Sequence, residues 1–129
     1  LNKAKSSNVI LPGFTTRVYD YLKASDYYIS ASDVEGLANT LLESMTVGLP
    51  MVLSDIPSHH EVLNNFKEET VGIIADQHNE ESIKDAIHAI LQIDAANVRR
   101  AVQDIFQRKY TAKKMSEAYQ YHYIMLTKR

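Results

Sequence analysis

The chain has 129 residues, with 16 acids against 14 lysines and arginines for a formal charge of -2, and 45% of it is apolar. That is one domain's worth of chain, able to bury a core but small for a two-domain enzyme, and its mixed charges argue against nucleic acid or an anionic membrane surface as the main partner. It has no cysteine, no signal-like start and no run of about 18 apolar residues, so the cytoplasm is the expected location.

Residues 1–7 read as a polar lead-in or the end of a helix, and the absence of an initial methionine leads to the expectation of an excised fragment or a processed chain. Val9, Ile10 and Leu11 predict a short buried strand stopped by Pro12 and Gly13. Thr15 and Thr16 offer a helix cap, and Val18, Tyr21 and Leu22 at i, i+3 and i+4 predict a helix over 17–24. After a turn at Asp26, Tyr27, Tyr28 and Ile29 form the next strand. A polar loop containing Gly36 leads to Leu41, Leu42 and Met45 at helical spacing, which Gly48, Leu49 and Pro50 end. Met51, Val52 and Leu53 begin another strand. Ser54 to Ser58 is a loop in which Ser54 and Asp55 shape a cleft floor or cap a helix, and Ser58 caps a helix through about Asn64. A strand over 71–75 follows.

Asn79 then caps a helix whose Ile83, Ala86, Ile87, Ile90 and Leu91 make a core stripe. Val98, Ala101, Val102, Ile105 and Phe106 repeat that pattern. Past Tyr110 and Thr111, a last helix carries Met115, Ala118, Tyr119, His122 and Leu126, and its tyrosines 119, 121 and 123 suit a half-buried face with wet hydroxyls. Strands alternating with helices at these spacings give an α/β fold, a Rossmann-like parallel sheet of about four strands flanked by helices.

The stretch 27–54 carries the chemistry. Backbone N–H groups at the start of the helix, around Ala38 to Thr40, have no intrahelical partners and with the helix dipole attract a phosphate or diphosphate. Glu43 lies about one turn inside the helix, roughly 6 Å along the axis from Asn39. Glu35 precedes the helix in the loop, so a carboxylate stands on each side of the anion seat. Carboxylates repel phosphate but accept hydrogen bonds from hydroxyls, and a nucleotide sugar presents a polyol at each end of a diphosphate.

Glu35 and Glu43, with seven residues between them in the setting Ser32-x-x-Glu-Gly-Leu-x-Asn-x-Leu-Leu-Glu-Ser-Met-x-x-Gly-x-Pro-x-Val-x-Ser-Asp, resemble the Glu-x7-Glu signature of the retaining glycosyltransferase family 4, group 1 transferases of the GT-B fold. The likeness extends from Asn8, Val9 and Gly13 through His60-Glu61-Val62-Leu63 to Val71-Gly72-Ile73-Ile74, with Ala38 and Thr40 standing where many relatives carry Gly and Pro. The resemblance implies a single nucleotide-sugar-binding domain over residues 1–129, part of the C-terminal half of such an enzyme, with the acceptor domain outside the chain. It implies transfer of a sugar from a nucleotide-diphosphate donor to an acceptor hydroxyl with retention. By the same resemblance Glu35 would be the catalytic-site residue facing the transferred sugar, Glu43 would bond the ribose, and Gly36, Leu37, Ala38, Asn39 and Thr40 would hold the diphosphate. The final helix of this family crosses back onto the partner domain. A sugar or lipid-linked glycan acceptor, and any membrane association at the inner face, belong to the missing domain, within polysaccharide biosynthesis.

No cofactor or metal is expected. His59-His60-Glu61 departs from a zinc helix, which needs histidine at the position Asn64 holds, and the chain has no Asp-x-Asp. The competing readings are a catalytically inactive transferase-like partner subunit, which retention of both acids opposes, and a GT-B sugar-nucleotide epimerase, which would lack this Glu-Gly-Leu setting. An intact or degenerate glycine-rich upstream domain would separate enzyme from partner.

Overall fold

Among the described residues, three strands and six α-helices alternate around a sheet whose middle strand is sealed on both faces. A computed structural model describes residues 8–66 and 71–127. Their order is α1 (Val18–Ala24), β1 (Tyr28–Ser30), α2 (Asn39–Val47), β2 (Met51–Ser54), α3 (Pro57–Leu63), a 3-10 turn (Asn64–Phe66), β3 (Gly72–Ala75), α4 (Glu80–Ile90), α5 (Ala95–Ile105), a π-helical turn (Phe106–Tyr110) and α6 (Ala112–Thr127). The sheet runs β1-β2-β3 and is parallel throughout, with Ile29 beside Val52 and Val52 beside Ile73. Parallel neighbours need a crossover between them, which α2 and α3 supply.

Every residue of β2 is buried, as its unbroken apolar run requires of a central parallel strand. Met51 and Leu53 pack with Leu41 and Met45 of α2, Val62 of α3 and Val98, Val102 and Ile105 of α5. Val52 faces the other way, onto Ala75 with Ala86 and Ile90 of α4. The α/β layering read from the sequence is therefore the observed one. Gly48 ends α2 in the left-handed region at φ +80°, and a Cβ there would stand 2.6 Å from the Arg99 carbonyl oxygen. The same residue thus ends the helix and lets α5 approach it. Asn79 Oδ1 accepts from the amides of Glu81 and Ser82 at the start of α4, as expected of its cap.

The structure corrects several expectations. Three strands, not about four, form among the described residues: Val9, Ile10 and Leu11 are exposed and unladdered, because no described strand lies beside them to accept their pairing. Ser58 does not cap α3. That helix begins at Pro57, whose fixed φ suits the first helical position, and the capping position is Ile56, with no side-chain bond. Thr15 Oγ1 accepts from the Arg17 amide just ahead of α1, but no side chain caps the helix itself. Leu91 lies past the end of α4 and is exposed, so the stripe ends at Ile90. The last helix, expected to be half-buried, has no buried residue, since no described element covers it. The expected lead-in at 1–7 lies outside the described residues. Among the described residues no helix is long and apolar enough to cross a membrane.

Candidate functional site

Because the three strands are parallel, the loops after Ser30, Ser54 and Ala75 open at one edge of the sheet, the edge where open α/β sheets bind ligands. Those loops are tied to one another. Ser54 Oγ donates to the Ser32 carbonyl at 2.7 Å, the Asp55 amide donates to Gln77 Oε1 at 3.2 Å, and His78 Nε2 meets Asp33 Oδ1 at 3.2 Å. The last of these is exposed and contributes little by itself.

Glu35 sits in the first of the loops. It is exposed and accepts from Ser32 Oγ at 3.2 Å, which fixes its carboxylate against the segment that Ser54 holds. It lines a depression of about 380 Å³ with Gly36, Leu37, Pro57, Ser58, Glu61, Val62 and Tyr110. Glu43 is half-buried on α2 and lines a smaller depression of about 200 Å³ with Tyr19, Asn39, Leu42, Thr46, Phe106 and Tyr110. Asn39, Leu42, Glu43 and Thr46 recur at i, i+3, i+4 and i+7, so one face of α2 meets the π-helical turn. Tyr110 is common to both depressions. The two acids therefore open on adjoining spaces divided by one aromatic wall.

Between them α2 is preceded by Ala38 at its capping position, an extended residue whose side chain caps nothing, and the amide of Leu42 is the first to find an intrahelical carbonyl, that of Ala38 at 3.1 Å. The amides ahead of it are the unpaired donors of a helix mouth. Thr40, at this mouth, spends its hydroxyl on Tyr28 Oη at 3.0 Å. Gly36 has no neighbour within 4 Å of a notional Cβ, so backbone there is open to a ligand. A separate concavity of about 610 Å³ along Ile93, Asp94, Asn97, Val98, Arg100, Ala101 and Asp104 lies at α5 and involves none of these groups.

Sequence reasoning missed two contributors. His59 is buried, and its Nδ1 lies 3.1 Å from both Ser54 Oγ and the Ser54 carbonyl. Ser54 Oγ already donates to Ser32, whose carbonyl can only accept, so His59 carries its proton on Nδ1 and donates. His60 turns to the surface and meets Asp55 Oδ1 at 2.6 Å. The two histidines that suggested a metal thus have separate partners on one loop. Ser54→Ala should release the Ser32 carbonyl and cost about 1 kcal/mol, read as a lower denaturation midpoint. An unchanged midpoint would mean that the loop does not depend on this bond. The second contributor is Tyr110, delivered by a π-helical turn that no periodicity predicts; the adjacent Lys109 also reaches Asn65.

Comparison with known proteins gives this geometry a setting. Residues 1–109 match the family described as glycosyl transferases group 1. Over 70 residues, 54% of the chain, it is 31% identical to the lipopolysaccharide core biosynthesis mannosyltransferase LpsB of Rhizobium meliloti. Over 86 residues, 67% of the chain, it is 29% identical to the N-acetylgalactosamine-N,N'-diacetylbacillosaminyl-diphospho-undecaprenol 4-alpha-N-acetylgalactosaminyltransferase of Campylobacter jejuni. The matched stretches span 20% and 23% of those two proteins. With the family matched along most of its length, the chain belongs to the group 1 glycosyl transferases.

Proposed function

We propose that this chain forms most of the donor-binding half of a two-domain GT-B glycosyltransferase, which moves a sugar from a nucleotide-diphosphate donor to an acceptor hydroxyl with retention. The observation that carries the reading is the placement of Glu35 and Glu43 in adjoining depressions on either side of the α2 mouth. In this assignment Glu43 accepts from the ribose hydroxyls and Glu35 from the hydroxyls of the transferred sugar. Amides between Gly36 and Thr40 take the diphosphate, with no metal. The helix dipole supplies only about half a positive charge there, and no lysine or arginine occurs between positions 27 and 66. Lys109, beside Tyr110 and bound to Asn65, is a cation bordering the site, and further positive charge would come from outside the chain.

The acceptor would be bound mainly by the second domain. The names of the two relatives speak of a lipopolysaccharide core and of a diphospho-undecaprenol saccharide. By likeness to them the acceptor class proposed here is a sugar or lipid-linked glycan of polysaccharide biosynthesis, met in the cytoplasm or at the inner face of the membrane. A thermal-shift screen of UDP, GDP and ADP sugars against the two-domain protein tests the reading. One base should raise Tm, since a ligand at about 100 times its Kd adds about 2.7 kcal/mol. No shift with any of the three would remove the donor assignment.

A further inference from the structure

Tyr110 stands on the wall shared by the two acidic depressions, and its hydrogen bonding leaves one donor unspent. The orientation of its partner Asn65 is set by groups whose roles cannot be exchanged. Lys109 Nζ can only donate, so it meets Asn65 Oδ1, and the Glu61 carbonyl can only accept, so it meets Nδ2 at 3.0 Å. Nδ2 therefore also donates to Tyr110 Oη, at 2.6 Å, and the phenol is the acceptor in that contact. Among the described residues none accepts the hydrogen of Tyr110 itself. Burial first, and then the charge of Glu61, hold this phenol above its ordinary pKa, against the opposite pull of the Asn65 bond. It is a protonated donor at neutral pH.

The position of that donor matters because the charged side chains lining the two depressions are all carboxylates, which can only accept. Glu35 and Glu61 line one depression and Glu43 the other, while Gly36 and Leu37 in the first and Asn39 in the second bring the backbone leading into α2 to either side of the ring. Carboxylates take up hydroxyls; a phosphate oxygen accepts and needs a donor. We propose that Tyr110 contacts the donor substrate, its Oη–H bonding a phosphate oxygen of the nucleotide sugar between Glu35 and Glu43. The inference rests on the donor-site reading above. Asn65 and Lys109 are positioning residues, which hold the phenol as an acceptor toward the protein and so direct its hydrogen outward.

The test is an NMR titration of the 129-residue chain with UDP, GDP and ADP, comparing the wild type with Tyr110→Phe, which keeps the ring and its packing. The tightest diphosphate should bind about 5-fold more weakly to Tyr110→Phe. Asn65→Asp should turn the phenol inward as a donor to the new carboxylate and weaken binding too. In the Tyr110→Phe background the same change should cost only its added charge, a smaller loss. If Tyr110→Phe fails to fold, Asn65→Asp alone decides, and undiminished binding there overturns the proposal. Wild-type affinity in Tyr110→Phe, alongside weakened binding in Glu43→Gln, overturns the Tyr110 assignment and leaves the donor site standing. Indifference to both substitutions, or no binding at all, removes the donor site and the proposal with it.

Discussion

Given a nucleotide sugar and a hydroxylated acceptor, the purified 129-residue chain should show no sustained sugar transfer. The depressions beside Glu35 and Glu43 are two adjoining faces of a single wall, and Glu35 itself is exposed. Nothing among the described residues encloses a second substrate against them. Holding two reactants in register carries roughly 7 to 11 kcal/mol of a bimolecular barrier, on the order of a 10⁵-fold change or more in rate at about 1.4 kcal/mol per decade. A chain with one wall forfeits most of that. Donor hydrolysis and acceptor glycosylation, followed together by product analysis, check it, and acceptor-dependent turnover by this chain alone would refute the two-domain account.

Replacing Glu43 by glutamine should weaken nucleotide binding about 10-fold or more, because a charge-assisted bond to a ribose hydroxyl contributes on the order of 1.5 to 3 kcal/mol. The substitution keeps size and shape, and α2 is anchored through Leu41 and Met45, which point into the core while Glu43 does not, so the fold should survive. Glu35→Gln separates the roles of the two acids. If Glu35 takes the sugar end as proposed, the change should leave nucleoside diphosphate affinity within about 2-fold while weakening the intact nucleotide sugar. Affinities for both ligands in both variants, with the folded state verified by amide spectra, decide the assignment. Loss of affinity for the bare diphosphate in Glu35→Gln but not in Glu43→Gln would show that the two ends of the donor have been reversed.

What the sequence revealed depended on whether the deciding contact was local. The apolar run at 51–53 and the Gly48-Leu49-Pro50 stop are local signals, and β2 and α2 fall where they point. Asn79 capped α4 for the same reason. Val9, Ile10 and Leu11 carried an equally good strand pattern, yet a strand needs a ladder partner, and pattern alone cannot supply one. The tyrosines of α6 looked half-buried by spacing, but burial is a property of the neighbour as well as of the helix, and no described element covers this face.

At the candidate site, Glu35 and Glu43 were singled out by their spacing, and the structure sets them in two depressions that share Tyr110. Tyr110 and His59 were not, for different physical reasons. Tyr110 enters through a π-helical turn, which shifts the phase of the helix and leaves no period in the sequence. His59 lies beside His60 in the chain but turns to the opposite environment, and only the buried Ser54 hydroxyl shows why. Ser58 was misread because hydroxyl capping and proline at the first helical turn compete at adjacent positions, and Pro57 prevailed.

Amide shift mapping tests most directly whether the mouth of α2, between Glu35 and Glu43, seats the diphosphate of a sugar donor as proposed. Titrating the chain with a nucleoside diphosphate should give weak binding, about millimolar and so about -4 kcal/mol. The largest shifts should fall between Glu35 and Glu43, and the affinity should fall with added salt because the contact is partly exposed and screened. Shifts clustered at His59 to Glu61, or micromolar affinity that salt does not weaken, would contradict the account and move the anion seat elsewhere.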